Sequence, residues 1–264
     1  MNSAYEGLSF ILLQTAKPSV FFNALREKDQ LHEKYPELQR MIGVPQNEEW
    51  HQEGDVWNHT MLVLDMAVST RYRDRASDPF GFMIAILCHD MGKVECTEKI
   101  NGKYHAYNHE EFSGPIAKPF LDRMGLSPER KDYILNLVEL HMKPHHAFTA
   151  NSKIKKTNKM FYEAKEPYDL VLLAACDSEG CLPAKNVEAE RRFLMDRLRI
   201  FNNTMREPFV TKEDILDLGF QNKQQITEAE ELALKLRLAG VKKSDALRQI
   251  GSIGKRPVQA DREE

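Results

Sequence analysis

Residues 84–93, with the sequence IAILCHDMGK, end an apolar segment in the adjacent polar pair His89 and Asp90. Polar side chains are costly in apolar surroundings unless another group satisfies them. A divalent metal ion commonly satisfies an imidazole and a carboxylate placed together. The pair therefore points to a buried metal site, and it directs attention to similar side chains elsewhere in the chain.

Other potential metal ligands also continue apolar stripes at helical spacing. The residues three, four and seven positions before Asp90, His141 and Asp177 are all apolar, as are those three, four and seven positions after His59. Residues at these spacings share one face of a helix. We therefore expect four helices to direct the following set into one interior: His59, His89, Asp90, His141 and Asp177.

Each of these residues has a simpler interpretation when it is taken alone. A histidine on an apolar face is more often a hydrogen-bonded core residue, and a buried aspartate at a helix end is often a cap. Five separately capped or hydrogen-bonded polar side chains within one core are much less common than a single metal site. A metal site is therefore the preferred interpretation of the set.

Length and composition favour one globular core. The chain has 264 residues, 42% of them hydrophobic, which is enough for one helical domain with a small appendage. The fold class predicted is all-α, a helical bundle around a buried metal site with a small helical C-terminal appendage. The formal net charge of −3 gives no global basic field for nucleic acid, although a local RNA contact is compatible with it.

The periodicity also gives approximate helix positions, which are reliable to a few residues at each end. From residue 59 onwards we expect helices at about 59–72, 80–91, 110–124, 128–142, 157–164, 167–177 and 185–204. Residues 93–108 contain Gly102 and several aromatic residues and are expected to form an irregular excursion or a short hairpin. Pro144 is expected to end the helix that carries His141. Capping-box patterns begin at Thr211 and Thr227.

Cysteine usage and hydropathy indicate the compartment. The four cysteines form no C-x-x-C pair and no dense framework. The N-terminus lacks the pattern of a signal peptide, and no apolar run approaches about 18 residues. We therefore expect a cytoplasmic protein with no membrane contact.

The order of the ligands resembles a known family. A histidine, the His89-Asp90 pair and a later aspartate, Asp177, match the H…HD…D pattern of the HD-domain superfamily of metal-dependent phosphohydrolases. Four segments further resemble the HD domain attached to bacterial CCA-adding tRNA nucleotidyltransferases: WHQEGDVWNHT at 50–60, HDMGK at 89–93, HEE at 109–111 and ACDSEG at 175–180. The likeness covers about residues 15–240. The chain lacks the Gly-Ser pair followed by Asp-x-Asp that the nucleotidyltransferase head would carry, so we expect a stand-alone HD domain and no CCA addition.

The resemblance also suggests a division of the chain. An N-terminal helical segment, 1–45, is expected to pack on an HD domain at 46–204. A C-terminal helical tail follows at 205–250, and the polar residues 251–264 are expected to be disordered.

The resemblance implies the chemistry of the site. His59, His89, Asp90 and Asp177 are expected to hold one divalent transition metal, and mixed nitrogen and oxygen ligands suit Mn, Fe, Co, Ni or Zn. Asp90, Lys93 and Asp177 are the expected catalytic residues, with Lys93 contacting the substrate phosphate. The simpler interpretation of Lys93 is a solvated residue at a helix end.

Several neighbouring residues have more than one interpretation. His109 and His141 occupy the places where dinuclear members of the superfamily add ligands, or they bind substrate phosphate as cations, so one or two metals per chain are compatible with the sequence. Glu53 is a candidate substrate-binding residue, and Asp55 either orients substrate or caps the next helix. For His145 a surface loop is preferred over the entrance of the site.

The leading functional hypothesis is a metal-dependent phosphohydrolase. Its expected substrate is a phosphomonoester or 2′,3′-cyclic phosphodiester of a nucleotide or of an RNA end. One alternative is an HD-type di-iron oxygenase, which would use the same six candidate ligands. The other is an RNA-binding or regulatory module with a structural metal. The expected partner is a small phosphorylated molecule, and the sequence makes no prediction about oligomeric state.

Overall fold

The computed structural model of the protein describes residues 3–183 and 186–254. Helices dominate these residues, and the predicted all-α fold class is confirmed. The helices are α1 Ser3–Gln14, α2 Ser19–Glu27, α3 Leu31–Lys34, α4 Pro36–Gln39, α5 Val56–Ser69, α6 Pro79–Cys88, α7 Lys93–Cys96, α8 His109–Arg123, α9 Pro128–Leu140, α10 Met142–Thr149, α11 Ile154–Glu163, α12 Pro167–Gly180, α13 Val187–Arg206, α14 Lys212–Asp217, α15 Lys223–Leu238 and α16 Lys243–Gly254.

The chain divides into two compact units. The larger comprises Met1–Ala150 and Tyr162–Met195, and the smaller comprises Asn151–Phe161 and Asp196–Glu264. All of the predicted metal ligands lie in the larger unit.

The core of the larger unit is built around α6. Every residue from Phe80 to Cys88 is buried, as expected for a helix that is apolar on all sides and central to a bundle. Asp78 caps its start by accepting a hydrogen bond from Gly81 N at 3.1 Å, and Pro79 occupies the first turn, where a missing N–H costs nothing. Helices α5, α8, α9 and α12 pack against α6. The end of α6 thus lies among the ends of other helices.

The excursion after Lys93 contains a short antiparallel hairpin. Strand β1, Glu98–Ile100, pairs with β2, Lys103–His105. Asn101 and Gly102 form the turn with φ values of 50° and 82°. Positive φ at both central residues suits a two-residue hairpin turn, and Asn-Gly is its favoured sequence.

Helix α9 ends at Leu140, close to the predicted stop, but the prediction that His145 lies on a surface loop was wrong. A new helix, α10, begins at Met142, and Pro144 lies in its first turn, where proline is tolerated. Within this helix the His145 side chain is only 18% exposed. His145 therefore belongs to the site and not to a loop.

The smaller unit has its own apolar core. It is formed by Ile215, Phe220, Ala229, Ala233 and Ile250. The capping box predicted at Thr211 is present with Asp214 as its partner. The one predicted at Thr227 was wrong, because Asn222 caps α15 a turn earlier and Thr227 lies inside the helix.

The C-terminal residues are described in part. Helix α16 continues to Gly254, four residues into the segment expected to be disordered, and the rest of that segment lies outside the described residues. Across the part of the chain that the structure describes, no helix is both long and apolar enough to cross a membrane.

Candidate metal centre

Six predicted ligands converge on one point in the larger unit because their helices begin or end there. His59 lies in the first turn of α5, and His109 is the first residue of α8. His89 and Asp90 directly follow α6, His141 directly follows α9, and Asp177 lies in the last turn of α12. All are buried except the Asp177 side chain, which is 13% exposed.

The first group of side chains is His59, His89 and Asp177. Oδ1 of Asp177 lies 2.9 Å from Nε2 of His59 and 3.7 Å from Nε2 of His89. One ligand atom from each of the three lies within 4.8 Å of the others. Two imidazole nitrogens and a carboxylate oxygen at these distances can hold a metal ion.

The second group is Asp90, His109 and His141. Nε2 of His109 lies 3.0 Å from Oδ1 of Asp90 and 3.0 Å from Nε2 of His141. Their ligand atoms also lie within 4.8 Å of one another. The structure therefore places His109 and His141 beside the aspartate of the His-Asp pair.

Asp90 faces both groups through different oxygens. Its Oδ1 points to His109, as above, while its Oδ2 lies 3.6 Å from Nε2 of His59 and 3.4 Å from Nε2 of His89. A carboxylate placed between two sets of ligands can bridge two metal ions.

The hydrogen bonds behind the histidines fix which ring nitrogen faces the centre. Nδ1 of three histidines lies close to a backbone carbonyl oxygen three residues earlier: 2.7 Å for His89, 2.9 Å for His109 and 2.6 Å for His141. A carbonyl oxygen only accepts, so each Nδ1 carries a hydrogen, and Nε2 is the ring nitrogen that faces the centre. This arrangement is typical of histidines that bind metal.

Two further features fit a metal ion. The buried atoms Nε2 of His89 and Oδ2 of Asp90 have no hydrogen-bond partner. Nε2 of His109 and Nε2 of His141 are 3.0 Å apart although both rings carry their hydrogen on Nδ1. Two lone pairs at that distance repel each other unless a cation or a proton lies between them. The donor set therefore fits a divalent ion in both groups.

The surroundings keep two of the ligands, Asp90 and His141, in the protonation states that metal binding needs. Burial raises the pKa of Asp90, but Lys93 and His89 outweigh it and hold that pKa well below its usual range. Burial, together with His109 and His89, lowers the pKa of His141 well below its ordinary value. Asp90 is thus an anion and His141 a neutral imidazole.

Lys93 lies in the wall of the site. Its Nζ lies 2.7 Å from Oδ2 of Asp90 and forms an ion pair with it, but the angles do not fit a hydrogen bond. The same Nζ donates a hydrogen bond to Oε1 of Gln46 at 2.8 Å. Burial lowers the pKa of Lys93, but the nearby carboxylate of Asp90 outweighs burial and raises the pKa above its usual value. The amine is therefore charged. The side chain is 12% exposed. Lys93 is therefore not a solvated helix-end residue.

Glu53 lies behind His59 and outside the cavity lining. Its Oε1 is 2.7 Å from Nδ1 of His51 and 2.9 Å from Nδ1 of His59, and its Oε2 accepts from Leu182 N at 2.9 Å. Burial raises the pKa of Glu53, but the two histidines outweigh it and lower the pKa below its usual value. Asp55 caps α5 by accepting from Asn58 N at 2.8 Å. Both carboxylates contact protein groups.

His145 is a site residue that sequence reasoning missed. Its Nε2 is 3.0 Å from Oδ2 of Asp177, and its Nδ1 is 2.8 Å from Oε1 of Glu190. Burial lowers the pKa of His145, but Asp177 and Glu190 raise it to about 10. The missed signal was the four-residue spacing from His141, which places both on one face if the helical path continues past Pro144.

A cavity of about 560 Å³ opens onto this centre. Asp90, Lys93, His109, His145 and Asp177 are among its lining residues. Its volume lies within the range of small-molecule sites. A ligand in this cavity would contact both groups of potential metal ligands and the Lys93 side chain.

Comparison with known proteins finds multifunctional CCA proteins from several bacteria. A multifunctional CCA protein of Actinobacillus pleuropneumoniae is 32% identical over 178 residues, 66% of this chain and 42% of the relative. Those of Pasteurella multocida and Alkalilimnicola ehrlichii are 30% and 27% identical over 77% and 85% of the chain.

The chain is similar to multifunctional CCA proteins. It spans 42%, 48% and 52% of the length of these three relatives. No protein-family model matches the chain.

Proposed function

We propose that the larger unit contains an HD domain, within 46–204, that acts as a metal-dependent phosphohydrolase. Its substrate is a phosphomonoester or 2′,3′-cyclic phosphodiester of a nucleotide or RNA end. The observation that carries the proposal is the pair of ligand groups on either side of Asp90, with Lys93 in the cavity wall above them. The similarity to multifunctional CCA proteins supports the nucleotide or RNA character of the substrate.

In this proposal the two groups hold up to two divalent transition metals. His59, His89, Asp90 and Asp177 hold one, and Asp90, His109 and His141 hold the other. Such a metal supplies a water that is acidic near neutral pH and positive charge for the phosphoryl oxygens. The low pKa of His141 favours a ligand role over the alternative, in which this histidine binds phosphate as a cation.

The side chains around the cavity bind and orient the substrate. Lys93 binds a phosphoryl oxygen, since its charged amine lies in the cavity wall beside the ligand carboxylates. His145 holds the carboxylate of Asp177 in one orientation through Oδ2. Asp90 keeps its negative charge because Lys93 and His89 stabilise the anion.

The test is metal analysis of the purified protein together with hydrolysis assays. The substrates are 2′,3′-cyclic AMP, 2′-AMP and bis-p-nitrophenyl phosphate, each with Mn²⁺, Co²⁺, Ni²⁺ and Mg²⁺. Lys93→Gln should lower kcat by about 100-fold, and Asp90→Asn should abolish hydrolysis and lower the metal content. Lys103→Ala, which removes only an exposed ion pair with Glu49, should behave as wild type.

Each outcome separates the hypotheses. Two metals per chain that fall to one in His141→Ala would establish the second group, and one metal in both proteins would exclude it. Two irons with oxygen consumption and no hydrolysis would replace the phosphohydrolase by an oxygenase. RNA binding that weakens steeply with salt, without metal-dependent turnover, would leave the binding module.

A further inference from the structure

A second cavity adjoins the candidate metal centre. Its volume is about 370 Å³, within the range of small-molecule sites. It shares several lining residues with the cavity above the metal ligands: Trp50, His51, Lys93, His109 and Met142. A single ligand could therefore extend from one cavity into the other past Lys93 and His109, which line both.

The walls of the second cavity are rich in aromatic side chains. Trp50, Tyr104, His105 and Tyr107 all line it. Trp50 is 54% exposed and Tyr107 is 62% exposed, whereas the other tryptophan, Trp57, is fully buried. Exposed aromatic rings beside a phosphate-type site are the platforms on which nucleobases stack.

The local backbone holds Tyr107 in place relative to His109. Tyr107 stacks on His105, the last residue of strand β2, with ring centroids 5.1 Å apart and an interplanar angle of 16°. Asn108 then adopts a left-handed conformation with φ 56° and directly precedes α8. The same turn therefore supplies an exposed aromatic ring and, two residues later, a candidate metal ligand.

One buried donor in this wall has no partner. Gln46 is 6% exposed and lines the second cavity. Lys93 Nζ donates to its Oε1 at 2.8 Å. Nε2 is buried without a hydrogen-bond partner. Buried donors are nearly always satisfied in native proteins, so this amide is an exception beside the part of the wall that the two cavities share.

We propose that the second cavity is a nucleobase subsite. The base lies against Trp50 and Tyr107, the two exposed aromatic side chains of this wall. The proposal rests on the proposed function for the phosphate group, because a nucleotide joins a flat base to a phosphate across a ribose and so fits two adjoining cavities. A mononucleotide and the end of an RNA chain share this chemistry.

The two tryptophans allow the subsite to be tested without hydrolysis. The probes are adenosine and uridine, which carry no phosphate, added to the full chain as purified while tryptophan emission is recorded. Stacking should quench the exposed Trp50, and Trp50→Phe should leave only the unresponsive emission of Trp57. Tyr107→Ala should weaken nucleoside binding about tenfold. Tyr162→Ala, which removes a tyrosine that is 47% exposed outside both cavities, should leave it unchanged.

Steady-state kinetics provide the second readout. Tyr107→Ala should raise KM for 2′-AMP about tenfold and leave KM for glycerol 2-phosphate, which has no base, unchanged. Saturable quenching without hydrolysis of any phosphate ester would uphold the subsite and overturn the phosphohydrolase. Equal kcat/KM for both esters, with no quenching by nucleosides, would overturn the subsite and uphold the phosphohydrolase.

A third comparison identifies the source of the base. A trinucleotide with a 2′,3′-cyclic phosphate end and 2′,3′-cyclic AMP are compared in the same quenching assay. Tighter binding of the trinucleotide supports the subsite with an RNA end as its occupant, and equal binding supports it with a mononucleotide. Quenching by neither overturns the subsite.

Discussion

Nε2 of His145 lies 3.0 Å from Oδ2 of Asp177, on the opposite side of the carboxylate from Oδ1, which faces His59 and His89. The other nitrogen of the ring, Nδ1, is 2.8 Å from Oε1 of Glu190. An imidazole between two carboxylates donates from both nitrogens and is therefore a cation. One oxygen of Asp177 is thus held by protein, and the other is directed at the candidate metal centre.

This contact predicts that His145 contributes to metal affinity without being a ligand. His145→Gln should weaken metal binding about 10- to 100-fold, since residues that orient a ligand typically have effects of that size. Competition with a chromophoric chelator measures the change. His32→Ala, which removes an exposed histidine paired with Asp29, is the matched control. Equal affinity of His145→Gln and wild type would show that Asp177 is oriented without His145.

The raised pKa of His145 predicts how stability depends on pH in chelator-treated protein. A group whose pKa is higher in the folded state stabilises the folded protein, and the full stabilisation is present below the unfolded pKa, here 6.5. This stabilisation is lost as the pH rises through the folded pKa of about 10. Even half of the difference between the two pKa values corresponds to ~2 kcal/mol in the free energy of unfolding. Thermal melts between pH 6.5 and 10 should therefore show Tm falling in wild type and falling less steeply in His145→Gln. Parallel curves for the two proteins would contradict the assignment of the slope to His145.

Much of the site follows from helical spacing in the sequence. The apolar stripes that end in Asp90, His141 and Asp177 predict that their helices share a core, and the structure brings these residues together with His59 and His109. The hairpin after Lys93 follows from Asn101-Gly102, whose turn conformation is local. Signals of this kind are local or periodic, so they can be recognised in a single sequence.

The contacts missed by sequence reasoning depend on tertiary structure. Proline is compatible both with the end of a helix and with a first turn, and only packing decides between them, so Pro144 misdirected the prediction for His145. Glu190 reaches His145 from a helix 45 residues away in sequence. Gln46 reaches Lys93 from a loop 47 residues away. Neither partner lies on a periodic apolar face that would mark it as part of a site.

Close packing at Gly92 predicts that a single methyl group will disturb the centre. A Cβ at this residue would lie 2.0 Å from the carbonyl oxygen of His109 and 2.7 Å from the backbone nitrogen of Ser113. Both atoms are backbone and cannot rotate away, so α8 must shift. Gly92→Ala should destabilise the protein by about 1–3 kcal/mol in chemical denaturation and displace His109. Gly7→Ala, where nothing lies within 4 Å of the new Cβ, should be neutral or slightly stabilising. Equal stability of Gly92→Ala and wild type would contradict this packing.

The environment of Cys181 predicts that it is the most reactive of the four cysteines. Its Sγ lies 3.9 Å from Nδ1 of His51, and it lines the larger cavity. Burial raises the pKa of Cys181, but hydrogen bonds with His51 and His59 outweigh it and lower the pKa below its ordinary value. Burial raises the pKa of the other three, Cys88, Cys96 and Cys176.

The thiolate is the reactive form, so iodoacetamide near pH 7 should modify Cys181 about tenfold faster than Cys96. Peptide mass spectrometry over a time course gives the separate rates. His51→Gln should slow the reaction at Cys181 because it removes the larger of the two stabilising hydrogen bonds, while Cys96 reacts as before. A Cys96 that reacts as fast as Cys181 in wild type would show that exposure, and not the histidine contacts, controls thiol reactivity in this protein.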